Sequence, residues 1–189
     1  MRFAPGEIVE WERESFSGQT EYTLVEVDGR PALHAQCDDA ASGLWLRREI
    51  DIVNYPIVEW TWRVDETFQD IDETSRAGDD YPARLYVVLD GGWLRLRARA
   101  VNYVWASVEP KGADWPNAYA SRARMVAVQS GPPDQPGTWH TQRRNVREDF
   151  RELHDRDLDK IDAVALMTDC DDAGGTAEAW YGEIRFLPE

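Results

Sequence analysis

The chain is nearly devoid of lysine. Among its 21 basic residues only Lys111 and Lys160 are lysines, against 36 acidic residues, and the formal net charge is −15. Such a sequence lacks the clustered basic surface that phosphate binding requires, which argues against a nucleic-acid partner. Histidine is also scarce. His34, His140 and His154 are isolated from one another and from the cysteines, so no zinc-ligand spacing occurs. No apolar run approaches the ~18 residues of a membrane-spanning helix. The start, Met1 to Glu7, has no apolar stretch of a secretion signal, so the chain as it stands is expected in the cytoplasm, or in the periplasm or outside the cell if a leader is removed. Cysteine is limited to Cys37 and Cys170. One disulfide can form, but a reducing cytosol favours free thiols, and two free thiols are the expectation. The G-x-S-x-G nucleophile elbow is missing, and no cysteine–histidine pairing is suggested.

What is present is a globular chain. With 189 residues, 42% hydrophobic and 30% charged, it has enough material for one domain with its own core, assigned to 1–189. The recurring pattern is period two. Val58, Trp60, Trp62 and Val64 alternate with Glu59, Thr61 and Arg63, as a half-buried strand requires. Leu85 to Leu89 is a continuous apolar run closed by Asp90-Gly91-Gly92. Leu94, Leu96, Ala98 and Ala100 alternate with Arg95, Arg97 and Arg99. Further strands are expected at 7–13, 21–27, 31–37, 43–50, 101–107, 122–129, 138–144, 161–167 and 178–187. Turn signals such as Asp28-Gly29 and Gly131-Pro132-Pro133 separate them. Val146, Phe150 and Leu153 share one face of a single short surface helix. Short strands with frequent turns predict an all-β fold, an antiparallel two-sheet β-sandwich of jelly-roll type with Trp60 and Trp62 between the sheets. Two long loops, 65–80 and 108–120, break the strand pattern and are where binding is expected.

Several groups of residues carry chemistry. Asp79 and Asp80 precede a strand on which Arg84 and Tyr86 share a face. They can bind a ligand hydroxyl or cation with Arg84 as anchor, or form a buried ion pair fixing loop to sheet. Asn145 ends a strand or caps the helix with Glu148 as its partner, or else Arg144 and Asp149 stand at a site near the sheet's edge. The stripe Arg95, Arg97, Arg99 reads an acidic polysaccharide or pairs with carboxylates on a neighbouring strand. Trp93 and Trp115 lie in or beside turns, where an indole stacks on a sugar ring or plugs the end of the sandwich. The acidic, glycine-rich turn Asp169 to Thr176 follows a buried strand. Asp169, Asp171 and Asp172 suit a hard cation such as calcium, or hydrogen-bond their own loop. Glu12, Glu14 and Glu183 are the more distant oxygen donors considered. The EF-hand pattern fails, because Ala173 and Trp180 stand at ligand positions.

Read in order, Ala41-Ser42-Gly43-Leu44, Trp60-Thr61-Trp62-Arg63-Val64, Gly78-Asp79-Asp80-Tyr81-Pro82-Ala83-Arg84, Tyr103-Val104-Trp105, Arg144-Asn145-Val146-Arg147-Glu148-Asp149-Phe150, Met167-Thr168-Asp169 and Ala179-Trp180-Tyr181-Gly182-Glu183-Ile184 resemble the bacterial family DUF3047 over nearly the whole chain. That family supplies no activity to carry over, and the resemblance implies an exported protein. Its overall pattern is similar to galactose-binding-like jelly rolls among carbohydrate-binding modules, an analogy of fold that does not give function. The leading expectation is a non-catalytic, carbohydrate-binding module, stabilised by calcium if the acidic turn is a site. The alternatives are a polysaccharide hydrolase or lyase using Asp79, Asp80, Arg84 and Asp149, and a structural domain without a small ligand.

Overall fold

Alternating side chains sort the strands into two layers. The structure, a computed structural model, describes residues 1–90 and 98–189. Its elements in chain order are β1 (Arg2–Phe3), α1 (Pro5–Ile8), β2 (Glu12–Ser17), β3 (Glu21–Val27), β4 (Arg30–Asp38), β5 (Ala41–Asp51) and β6 (Ile57–Val64). There follow a short 3₁₀ turn (Arg76–Gly78), β7 (Ala83–Leu89), β8 (Arg99–Ala106), β9 (Asp114–Pro116), β10 (Ala123–Ser130), β11 (His140–Asn145), α2 (Val146–His154), β12 (Lys160–Asp169) and β13 (Thr176–Leu187). One sheet runs β11-β6-β13-β4-β3, with β1 added to β13. The other runs β2-β5-β12-β7-β8-β10-β9. The pairings are antiparallel except β8 with β10, which is parallel among the described residues. The expected jelly-roll sandwich is what forms.

The core lies where β6 of one sheet faces β8 of the other. Trp60 packs edge-on to Trp62 with ring centroids 5.3 Å apart and stacks on Tyr103 at 5.3 Å, while Trp62 meets Trp105 at 6.1 Å. These rings are fully or almost fully buried. Large aromatics suit this position because each removes a large apolar area from water. Helix α2 forms where expected. Asn145 accepts from the Glu148 amide at 3.1 Å as its N-cap, and Val146 and Phe150 seal one end of the core.

Three expectations need correction. The segment 7–13 is a strand only from Glu12 onward. Pro5 opens the single turn α1, the Glu7 carboxylate accepts from the Ala4 amide at 3.0 Å, and pairing starts only at Glu12. The cysteines are not free, because Cys37 and Cys170 form a disulfide. The turn after β12 sends β13 back along β4, with Ala177 opposite Cys37, and this brings together thiols 133 residues apart. Glu12 and Glu14 bind Arg47, and Glu183 binds Arg2, so none of these reaches the acidic turn. Trp93, Arg95 and Arg97 lie outside the described residues. Among the described residues no helix is long and apolar enough to cross a membrane.

Candidate ligand-binding cleft

The outward face of the seven-stranded sheet is not flat. The strand register sets Trp45, Ala165, Tyr86, Asn102 and Met125 in one row across five strands. The next row is Gly43, Met167, Arg84 and Val104. Small residues at Gly43 and Ala165 leave a trough between the larger ones. At Gly43 a Cβ would sit 2.8 Å from the Leu166 carbonyl and 3.2 Å from the Trp45 indole nitrogen, so the floor demands glycine there. One bank is raised by the long loop after β8. It lays Trp115 over Val104, Met125, Ala127 and Tyr81 in a second buried cluster.

The two loops flagged in the sequence are fastened to each other. Glu73, 1% exposed, accepts from the amides of Ser107, Val108 and Glu109 at 2.5, 2.9 and 2.7 Å. Burial nonetheless raises its carboxyl above the ordinary value. Gly78 follows in a turn with no space for a side chain, its Cβ position lying 2.4 Å from the Asp72 carbonyl. This seats Asp79 and Asp80 at the head of β7.

Arg84 is the hub. It is 3% exposed. Its Nε donates to Asp169 at 2.7 Å, and its Nη2 pairs with the other oxygen of Asp169. The same Nη2 donates to the Asp79 carbonyl at 2.5 Å, Nη1 stands 3.8 Å from the Asp79 carboxylate, and the Tyr81 ring lies 4.4 Å from the guanidinium carbon. The expected buried pair between Asp79 and Arg84 is present, with Asp169 as the stronger partner. Asp79 also accepts from Asn117 Nδ2 at 2.9 and 2.8 Å. Asn117 Oδ1 holds the amides of Tyr119 and Ala120, and the Tyr119 hydroxyl donates to Asp172. Asp80 accepts from the amides of Asp172 and Ala173 at 3.2 and 2.5 Å. Loop 117–120 and the acidic turn are thus both pinned to the head of β7.

Burial raises the carboxyls of Asp79, Asp80 and Asp171. For Asp79 and Asp80, Arg84 partly offsets that effect, whereas neighbouring Asp172 adds to it in all three. The Tyr119 hydroxyl is pushed up to about 12, chiefly by its bond to Asp172. Asp80, Asp169 and Asp171 bring one carboxylate oxygen each within 4.8 Å of one another, so the three could hold a metal. Asp80, distant in sequence, thereby takes the place expected for Asp172.

Asp79, Arg84, Tyr86, Asp169, Asp171 and Asp172 all line one cavity of 410 Å³. Phe16 and Tyr119, which are 60% and 54% exposed, stand at its rim, and Trp45 packs against Tyr86 with centroids 5.5 Å apart. Two polar atoms of the lining have no partner, Asn102 Oδ1 and Trp45 Nε1. Neither Phe16 nor Trp45 was legible as a site residue, since only the sheet register reveals their face. Trp115 is 6% exposed in the second cluster, as a loop plug and not a ligand platform. Arg144 and Asp149 lie apart from the cleft. They pair with each other, the buried Tyr103 hydroxyl donates to Asp149 at 2.6 Å, and both line a separate cavity of 270 Å³. A larger hollow of 660 Å³ lies beside Cys37, where Gln36 bonds Glu178, Asp65 bonds Arg63 and Thr67 Oγ1 has no partner.

The fold has known counterparts. The family 30 carbohydrate-binding module of a cellulosomal cellulase of Clostridium thermocellum aligns with a TM-score of 0.54 at 11% identity, covering 96% of this chain and 92% of that one. At that identity the likeness establishes the fold alone. The family 11 carbohydrate-binding module of Clostridium thermocellum, solved with a β-1,3-1,4-mixed-linked tetrasaccharide, aligns at 0.47 with 9% identity over 93% and 88% of the chains. A cellulase derived from Cel12A of Rhodothermus marinus aligns at 0.44 with 9% identity over 98% and 99%. None of the curated proteins compared with the chain is a recognisable sequence relative. The family model for proteins of unknown function DUF3047 matches residues 9–185, and the chain belongs to that family.

Proposed function

We propose that the protein is a non-catalytic carbohydrate-binding module whose ligand lies in the cleft of the seven-stranded sheet. The observation that carries this reading is the pair of unpartnered polar atoms, Asn102 Oδ1 and Trp45 Nε1, in a trough flanked by Phe16, Tyr86 and Tyr119. A buried polar atom without a partner is costly, and a ligand hydroxyl relieves that cost. Aromatic faces meet the apolar faces of sugar rings. A 410 Å³ hollow that combines aromatic side chains with convergent polar groups is the ordinary form of a small-molecule site. Catalysis by the same carboxylates is less well supported, because Arg84 engages both oxygens of Asp169 and Asn117 engages both of Asp79. The disulfide supports an oxidising location, the periplasm or the cell exterior.

The test is calorimetric titration with a panel of soluble oligosaccharides. A binder should emerge, and Trp45→Ala should weaken it about tenfold, or 1.4 kcal/mol. Equal affinity of the parent and the variant would refute the assignment of the cleft. Release of reducing sugar from any bound oligosaccharide would move the protein to the hydrolase class.

A second reading concerns metal. The grouping of Asp80, Asp169 and Asp171 favours a hard cation, and calcium is the ion its oxygen donors suit. Calcium at 100 times its dissociation constant should then stabilise the fold by ~2.7 kcal/mol, and Asp80→Asn should abolish the gain. A melting temperature unmoved by calcium and by chelator would leave Arg84 as the sole counter-charge.

A further inference from the structure

The charge of the cleft is lopsided. Asp79, Asp169, Asp171 and Asp172 line it, and Arg84 is the single cation among its described lining residues. That cation is closed to ligands. Its side chain is 4% exposed, its Nε and Nη2 are bonded to Asp169 and the Asp79 carbonyl, and Tyr81 lies over its face. An anionic sugar would meet surplus carboxylate with no lining cation free to receive it, and like charges brought together are a strong bar to binding.

An observation independent of the carboxylates points the same way. Asn102 is 1% exposed and lines the floor. Its Nδ2 faces Met125 Sδ at 3.2 Å, and its Oδ1 has no partner. The floor therefore holds an unpartnered acceptor, and the carboxylates of the walls hold more. The matching ligand is rich in N–H and O–H donors. Asp79 and Asp169 are already engaged by Asn117 and Arg84, whereas Asp171 and Asp172 are half-buried at the cleft, Asp172 accepting one bond, from the Tyr119 hydroxyl. Building on the carbohydrate reading above, we infer that the preferred ligand is an amine-bearing sugar, a glucosamine-type oligosaccharide whose ammonium group lies against Asp171 and Asp172.

Two lining rings already carry cations, Arg47 over Trp45 at 5.6 Å and Arg76 over Tyr119 at 5.1 Å, so the aromatic faces of this cleft attract positive charge. The net charge of −15 draws cations toward the protein.

The experiment is titration calorimetry of the whole chain in EDTA, which keeps the Asp80–Asp169–Asp171 group free of metal. The probes are a glucosamine hexamer, cellohexaose, a galacturonate hexamer and spermine. The glucosamine hexamer should bind about tenfold more tightly than cellohexaose. That margin should collapse in about 0.5 M salt, where charges are screened within a few ångströms. It should also collapse in the Asp171→Asn, Asp172→Asn double variant, in which the glucosamine hexamer should lose about tenfold more affinity than cellohexaose does. The salt arm uses the parent protein and is independent of how the variant folds. Cellohexaose binding as tightly as the amino sugar, or any binding of galacturonate, overturns the inference while leaving the carbohydrate reading intact. Spermine binding as tightly as the hexamer shows recognition of charge alone and overturns it too. Failure of every sugar to bind refutes the carbohydrate reading itself.

Discussion

Replacing Arg84 with alanine is the most direct test of how the cleft is held together. The side chain is 4% exposed and serves two buried carboxylates, Asp169 and Asp79, from the start of β7. Alanine removes the guanidinium and leaves both acids in place, 2% and 4% exposed. Breaking a buried ion pair from one side typically costs ~3–5 kcal/mol, because the remaining charge has neither water nor partner. For a domain of this size each kcal/mol lowers Tm by ~2–4 °C, so the drop should be ~6–20 °C. Urea unfolding followed by tryptophan fluorescence reads the stability directly, since Trp60, Trp62 and Trp105 change from buried to exposed. The loss should shrink as the pH is lowered toward 4. The stranded carboxyls then have raised values in the folded variant and regain stability on protonation. Asp169→Asn combined with Arg84→Met should recover part of the loss. An Arg84→Ala protein that unfolds within 1 kcal/mol of the parent, on the scale of an exposed pair, would refute the claim that this pair organises the site.

Reduction of the Cys37–Cys170 disulfide releases a constraint spanning 133 residues, which chain-entropy reasoning values at about 5 kcal/mol. Dithiothreitol or a double Cys→Ala variant should lower Tm by ~10–20 °C, and an unchanged melt would refute that contribution. The carboxyl of Asp79 is raised by burial above its ordinary value of 3.8, so its stabilising effect is greatest at low pH and is lost as pH rises through the folded value. The Tm of the parent minus that of Asp79→Asn should therefore fall between pH 4 and pH 8. The lowered histidines, present in both proteins, cancel in the difference. A difference that grows with pH would overturn the direction.

Local pattern was enough for the elements whose period was clean. The Val58–Val64 alternation, the apolar run at Leu85 and the Asn145 cap each depend on neighbours within a few residues, and all three form as read. The failure at 7–13 has a local cause as well. Pro5 and Glu7 favour a helical turn more strongly than a weak alternation favours a strand. Arg84 and Tyr86 were legible as neighbours because a strand fixes which side chains share a face, and both line the cleft together with Asp79. Trp115 misled, since a tryptophan before a proline in a loop looks the same whether it faces ligand or protein.

The sequence by itself determined the class of the molecule: a β-sandwich, acidic, with a tryptophan core and two long loops at 65–80 and 108–120. It did so because side-chain alternation and turn chemistry act over short range. The tertiary structure alone decided the pairings across long separations. The return of β13 along β4 joined Cys37 to Cys170. The placement of β7 against β12 set Arg84 on Asp169 and Asp80 against the acidic turn. The register across β5, β12, β7 and β8 put Trp45, Tyr86 and Asn102 in one row. Such contacts depend on strand order and register, which are fixed by the packing of whole sheets and leave no signature in any local stretch of sequence.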